Sequence, residues 1–533
     1  MMAARKKDGG GKPSIIRPLG NLECYQFHML QLRFLGSTIV NCRYTIPSSL
    51  TAPELHDRVV AQVEVALAEV VLEHPGLRID AINADTRRPA WVAVDKVDFA
   101  YHVRWEDVDN GEDTAAGVDY EELLRSKTEK ILDEPYTSLA GRPQWRVLVL
   151  FKKSAPPFLD IVFDWSHAIG DGMSGKIFHQ SLLRALNTYT APARIETEAE
   201  TEAETEKETI PSALTNRVLK IPSTARTLAP PIEKAGKFPV SPKYAVSTVW
   251  KELQPLGLGS PSPAKAHWAP IRATPYKTRL RVFDIEADAL RGILTGCRAH
   301  KTTITGLLHA LVLVSMAKHI SPQDATAFIG SSALDLRRYL GQPSPGVDAS
   351  RTIINYVSAT SHEFGPDLVR EIRGVITSGQ REDALTPALV ELVWQCAARV
   401  RGELQSRLDL GLRNNLVGLM KLVLDWRAQF RADAAKARPY SFVVTNLGVF
   451  DGVGRELSGE FRDAPATERW GVAHSVFAIS TEVCGAAFQV SPISVKDGAL
   501  CVSCSWQDCV VDLRLAEAIV ADLERWLRFL GKS

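Results

Sequence analysis

A run of alternating glutamates, "IETEAETEAETEKETI" at 195–210, constrains the fold of this chain more than any other stretch. Its seven like charges, Glu196 to Glu208, repel one another and bring no apolar surface to bury. The segment therefore reads as a solvated linker or loop. A proline-rich stretch from Pro211 to Pro275 follows and resists regular structure. The chain of 533 residues is thereby cut into two patterned blocks, 14–190 and 276–533, with 191–275 as linker or crossover. Each block is long enough to bury a core of its own. Residues 1–13 are basic and glycine-rich and lack the apolar stretch of a secretory signal, so they read as a disordered tail.

Both blocks mix strand and helix periods. "PELHDRVVAQVEVALAEVVLEHP" (53–75) carries apolar residues at helical spacing and ends where Pro75 disfavours a helical predecessor. "QWRVLVLF" (144–151) and "PFLDIVFDW" (157–165) read as two strands around a charged turn. "TITGLLHALVLVSMAKH" (303–319) is a nearly all-apolar, hence buried, helix, and "SFVVTNLGVF" (441–450) and "GALCVSCSW" (498–506) read as strands. The pattern predicts two α/β domains, each a mixed sheet flanked by helices.

Composition excludes several classes. A net charge of +1 gives no global field to attract nucleic acid. The longest apolar run, Gly306 to Ala317, is too short to span a bilayer, although a surface helix around 22–35 leaves peripheral lipid contact open. The eight cysteines are scattered, and the CxxC of Cys501 and Cys504 falls in a strand, where an odd offset separates the two thiols. They read as small buried hydrophobes, with no metal site. A reducing, cytoplasmic setting fits them.

One motif carries chemistry. In "DWSHAIGDGMSG" (164–175), His167 follows a strand and precedes "MSGKIFHQSLLRALNTY", whose apolar face predicts a helix. A loop at a strand end is where reactive side chains project. A metal pair at His167 and Asp171 would want an uninterrupted helix, which Gly170 and Gly172 oppose. Two readings stand: a catalytic histidine, or an ordinary turn histidine with Asp171 as the helix N-cap.

Strand, HxxxDG and helix, in the first of two similar halves, resemble the chloramphenicol-acetyltransferase-like acyltransferases. The opening "RPLGNLECYQFHMLQLRFLGSTIVNCRYTI" (17–46) is similar to fungal alcohol acetyltransferases in its R-x-LG-x-x-E-x-Y pattern. "EHPGLR" (73–78), "DEPYTSLAGRPQWRV" (133–147), "TTITGLLHALVLVSMA" (302–317), "SSALDLRRYL" (331–340) and "TNLGVF" (445–450) also look like shared segments, in the shared order. The resemblance implies two chloramphenicol-acetyltransferase-like domains with an active-site channel between them. It implies acetyl-CoA, or another acyl-CoA, as co-substrate and a small alcohol or secondary-metabolite hydroxyl, such as a terpenoid's, as acceptor. No tightly bound cofactor is implied.

In that scheme His167 takes the acceptor's proton while the hydroxyl attacks the thioester directly; no GxSxG nucleophile elbow is present. Asp171 points away from the histidine and pairs with an arginine, Arg337 first and Arg338 in reserve, to hold the loop. Gly172 serves the backbone. Thr445 or Asn446 could donate to the oxyanion, with a turn-capping role as the competing reading for Asn446. The residues that contact CoA are not identifiable. His28 and His309 read as core histidines, and His474 as a packing residue or a wall of the acceptor pocket.

Departures matter. Ser166 stands where condensation domains carry a second histidine, and the DFGWG motif of plant acyltransferases is missing, with "TNLGVF" a loose substitute. An N-acyltransferase, a carrier-protein-dependent acyltransferase and a non-catalytic homologue remain the alternatives. A chain with its own two-domain channel is expected to be a monomer. It is expected in the cytoplasm, with a peripheral place at endoplasmic reticulum or lipid droplets left open.

Overall fold

A computed structural model describes residues 14–108, 119–139, 141–189, 214–222, 228–253, 262–378, 385–453 and 465–532. The N-terminal tail 1–13 and the acidic repeat 195–210 lie outside these residues.

Strand Phe158–Trp165 shows why the first sheet forms. Leu159, Ile161, Phe163 and Trp165 alternate onto one face and join the N-terminal core. The opposite face is also covered, so its two carboxylates must find partners. Asp160 accepts from Arg43 Nη2 and Asn41 Nδ2, both at 2.9 Å. Asp164 accepts from Arg146 Nε and the Tyr136 hydroxyl, both at 2.6 Å. The sheet has five strands in the order Gly471–Ile479, Thr38–Thr45, Phe158–Trp165, Trp145–Lys152 and Val103–Asp107. The last pair is parallel and the others antiparallel.

The second sheet has six strands in its main path: Thr278–Ile285, Leu500–Gln507, Ala486–Val495, Tyr440–Val444, Phe328–Asp335 and Val357–Phe364. Its two inner pairs around Tyr440–Val444 are parallel, so this sheet is mixed as well. Helix Ile304–His319 starts at Thr303, whose hydroxyl accepts from Gly306 N, and is buried on every side from Gly306 to Ala317. It packs against helices Pro387–Asp409 and Leu513–Leu530. Both domains are thus α/β, as their periodicity predicts.

Three sequence-based expectations need correction. Strand Gly471–Ile479 belongs by sequence to the C-terminal block but pairs with Thr38–Thr45 in the N-terminal sheet. The proline-rich stretch is not all irregular: Val218–Lys220 pairs with Lys96–Asp98, and Pro242–Leu253 is a helix. The run 441–450 is interrupted between strands Tyr440–Val444 and Val449–Phe450. Helix Asn21–Gln31, part of the 22–35 stretch for which the sequence leaves lipid contact open, buries Leu22, Phe27 and Met29 against the protein. Among the described residues no helix is long and apolar enough to cross a membrane.

Cys501 and Cys504 do point to opposite faces, one into each domain core, and all eight cysteines are free thiols.

Candidate active site

Where strand Phe158–Trp165 ends, Trp165 folds its ring under the next turn and donates from Nε1 to Gly170 O at 2.9 Å. Ile169 N donates to Ser166 O at 3.0 Å, tightening the loop 166–171 that carries His167. Helix Gly172–Thr188 then begins, capped by the Asp171 side chain, which accepts from Ser174 N at 3.2 Å.

The glycines here serve packing more than backbone freedom. A Cβ on Gly175 would stand 2.3 Å from the Trp165 ring and 2.6 Å from Val40. At Gly172 it would stand 2.9 Å from Leu447 Cδ2 and 3.1 Å from Phe477 Cζ. Gly172 therefore lets two distant C-terminal elements close on the loop, which is more than the backbone role expected of it.

Asp171 is 2% exposed and turned away from solvent. Its carboxylate accepts a two-pronged bond from Arg337, Nη1 to Oδ2 at 2.7 Å and Nη2 to Oδ1 at 2.9 Å. Tyr356 N adds a further donor at 2.8 Å. Arg337 is 6% exposed, and its remaining donors reach Ala349 O, Ile354 O and Asp335. Of the two candidate arginines, Arg337 and not Arg338 meets the carboxylate. The pair ties the histidine loop of one domain to segments 335–337 and 349–356 of the other.

His167 itself is half-buried. Asn355 Nδ2 donates to its carbonyl oxygen at 2.7 Å and lies 3.4 Å from Nδ1. Burial lowers the imidazole's pKa; the Asp171 charge and the residue's own backbone carbonyl act in the opposite direction and do not cancel it. The ring is therefore neutral at physiological pH, the form in which it can accept a proton.

A chain of contacts links this loop to the N-terminal motif. Arg17 donates to both oxygens of Glu23 at 2.7 and 2.8 Å, and Glu23 also accepts from Gly20 N and Trp91 Nε1. A Cβ at Gly20 would collide with Pro231, so residues 229–233 lie directly on this turn. The Tyr356 hydroxyl donates to Pro230 O at 2.7 Å, while its amide holds Asp171. A small cavity lies among these groups, with Arg17, Trp91, Ile169 and Asn355 in its wall.

The remaining candidates have partners of their own. The Thr445 hydroxyl is 2.8 Å from Ser491 Oγ. Asn446 is exposed and committed to a turn, its Oδ1 accepting from Gly448 N at 2.7 Å and its amide donating to Thr305 at 3.1 Å. Gly448, at φ +70°, supplies the left-handed residue that turn requires. His474 pairs through Nε2 with Asp284 at 3.0 Å, next to the Cys501 thiol, and these three residues offer ligand atoms within 4.8 Å of one another. The imidazole and carboxylate already neutralise each other, and burial pushes the thiol up and keeps it protonated. His309 is a core histidine bonded to Ser332, and His28 bonds to Cys24 O.

Sequence reasoning missed Asn355, Ser174 and Phe477. Asn355 and Phe477 sit in unremarkable apolar runs, far from the loop in sequence, and carry no local signal. Ser174 could have been found, since it stands at the third helical position after an N-cap aspartate.

The molecule thus has two mixed sheets, a strand that crosses from the C-terminal block into the first sheet, and a histidine loop between strand and helix. Residues 116–344 match the family model for alcohol acetyltransferase. The probable alcohol acetyltransferase FCK4 of Fusarium pseudograminearum is 28% identical over 539 aligned residues, covering 98% of this chain and 97% of that protein. In fold, the chain is similar to the TRI3 trichothecene 15-O-acetyltransferase of Fusarium sporotrichioides, with a TM-score of 0.62, 14% identity and coverage of 96% and 94%. It is also similar to TRI101 of F. sporotrichioides, solved with coenzyme A and T-2, with a TM-score of 0.54, 13% identity and coverage of 92% and 95%. Over most of its length the chain is similar to probable alcohol acetyltransferases of fungi, and the matched family model is one of acyl-transferring enzymes.

Proposed function

We propose that the protein moves an acetyl group from acetyl-CoA to a hydroxyl of a small secondary metabolite, with His167 as general base. The observation that carries this reading is a half-buried imidazole, its pKa lowered by burial, on a loop whose aspartate is locked to Arg337 and so is not free to serve the imidazole as a triad partner. An alcohol is too weak an acid to be an anion near neutral pH. The imidazole accepts its proton as the oxygen attacks the thioester carbonyl, then returns it to the departing thiolate. Asn355 positions the loop through the His167 carbonyl and lies beside Nδ1, which leaves Nε2 to the acceptor. The developing oxyanion needs a donor, and the paired hydroxyls of Thr445 and Ser491 are the candidates. The fold match to a protein solved with coenzyme A and T-2 supports an acyl-CoA donor.

The test is thiol release. Wild type and His167→Ala are incubated with acetyl-CoA and a panel of alcohols, amines and hydroxylated terpenoids, and free CoA is followed. Acceptor-dependent release by wild type alone, with an ester of the expected mass, supports the reading. Equal release by the variant removes His167 as base. Release with amines alone shifts the acceptor class to N-acylation.

A further inference from the structure

Arg78 ends the short 3-10 turn Pro75–Arg78, the last residue of "EHPGLR". It is 6% exposed, and its Nε is enclosed with no hydrogen-bond partner. No described carboxylate forms an ion pair with it, and burial is what acts on its charge. A buried guanidinium without a counter-charge is strongly unfavourable, because desolvation is offset by nothing. Every other buried arginine near the histidine loop is satisfied: Arg337 holds Asp171, and Arg17, partly buried, holds Glu23.

The position is specific. Two residues upstream, a Cβ on Gly76 would stand 3.1 Å from Ile353 O and 3.7 Å from Ile169 O. The turn is thus wedged between the histidine loop and the segment that anchors it. Other arginines stand on this side, Arg184 among them, paired with Glu73. His74, four residues before, is acted on by Arg184, Arg78 and Arg351. Arg351 is exposed and comes from the opposite domain, in the turn Ala349–Arg351. The charge and carbonyl that act on His167, in contrast, are those of Asp171 and its own backbone. The turn that carries Arg78 thus lies at the seam of the two domains, against Ile169 and Ile353. Of the two reactants, the acyl-CoA carries phosphates, at the far end of a long arm; the alcohol needs no charge. A guanidinium fork matches phosphate oxygens in geometry and sign.

We propose that Arg78 is the anchor for a phosphate of the acyl-CoA, a specificity residue that distinguishes CoA thioesters from thioesters without phosphate. This rests on the acyl-CoA-dependent reading above.

The experiment compares wild type, Arg78→Gln and Arg78→Lys with two donors, acetyl-CoA and the phosphate-free S-acetylpantetheine. For Arg78→Gln, KM for acetyl-CoA should rise about tenfold or more, with kcat within about twofold and Arg78→Lys in between. KM for S-acetylpantetheine should be the same in all three proteins. An equal KM rise with both donors would show a merely structural role and overturn the proposal, as would an unchanged KM for acetyl-CoA. Calorimetric binding of adenosine 3′,5′-diphosphate needs no turnover. Tighter binding to wild type than to Arg78→Gln supports the anchor even if no acceptor is acetylated. Normal acetyl transfer with equal nucleotide binding sinks the anchor alone. The melting temperature of Arg78→Gln should match or exceed that of wild type, since an unpaired buried charge is removed; a marked fall would point to a structural role.

Discussion

Arg337 and Asp171 stand 166 residues apart in sequence, yet the guanidinium grips both carboxylate oxygens from within a nearly dry interface, at 2.7 and 2.9 Å. Removing one partner leaves the other charged and buried. Arg337→Met or Asp171→Asn should each lower stability by about 3–5 kcal/mol in urea unfolding. The double variant should lose less than the sum, because no unpaired charge remains. Additive losses would mean that the two groups do not act as a unit. Acetyl transfer should fall in both single variants, through displacement of the loop rather than loss of a proton acceptor.

Replacing His167 by alanine should lower kcat by about 10²–10⁴-fold with no change in melting temperature. Burial keeps the imidazole's pKa below its ordinary 6.5. The base form therefore persists on acidification, and the acid limb of kcat/KM should fall below pH 6.5, with a flat profile from there to above neutrality. A midpoint above pH 7 would contradict this environment for the ring.

Gly172→Ala places a methyl group 2.9 Å from Leu447 and 3.1 Å from Phe477. Leu447 can turn aside more easily than the aromatic ring, so the cost should be modest, about 1–3 kcal/mol. Activity should fall more than stability does, because the strain is relieved by moving the loop that carries His167. Adding Leu447→Ala should restore part of the rate. No rescue would place the strain elsewhere.

Stability should fall steeply on mild acidification. His74, His102 and His179 are enclosed, and burial brings their pKa values down to about 3, about 4 and about 4. Their unfolded counterparts titrate near 6.5. Between those limits the unfolded chain binds more protons, so the stabilisation is complete above pH 6.5 and is lost as pH falls toward 4. Each contributes a slope of about 1.4 kcal/mol per pH unit. His474, raised by Asp284 against the effect of its burial, works the other way. Urea midpoints at pH 7.5, 6.5 and 5.5 measure the balance; a stability flat across that range would mean that water reaches these rings.

What the chain determines by itself is local. The strand "PFLDIVFDW", the loop glycines and the apolar stripe after them place a histidine between strand and helix, because a period of two, a tight turn and a period near 3.6 are written residue by residue. The all-apolar helix 303–319 and the α/β character of both blocks are legible for the same reason. Arg337 came from a resemblance of motifs, and nothing in its own neighbourhood distinguishes it from Arg338. The tertiary structure decided the rest. It gave strand Gly471–Ile479 to the other domain's sheet, brought Phe477 and Leu447 onto Gly172, set Asn355 on the His167 carbonyl and left Arg78 buried with no counter-charge among the described residues. Each of these depends on residues far apart in sequence meeting in a packed interior, and a pairing made by burial leaves no period or turn signal in either partner.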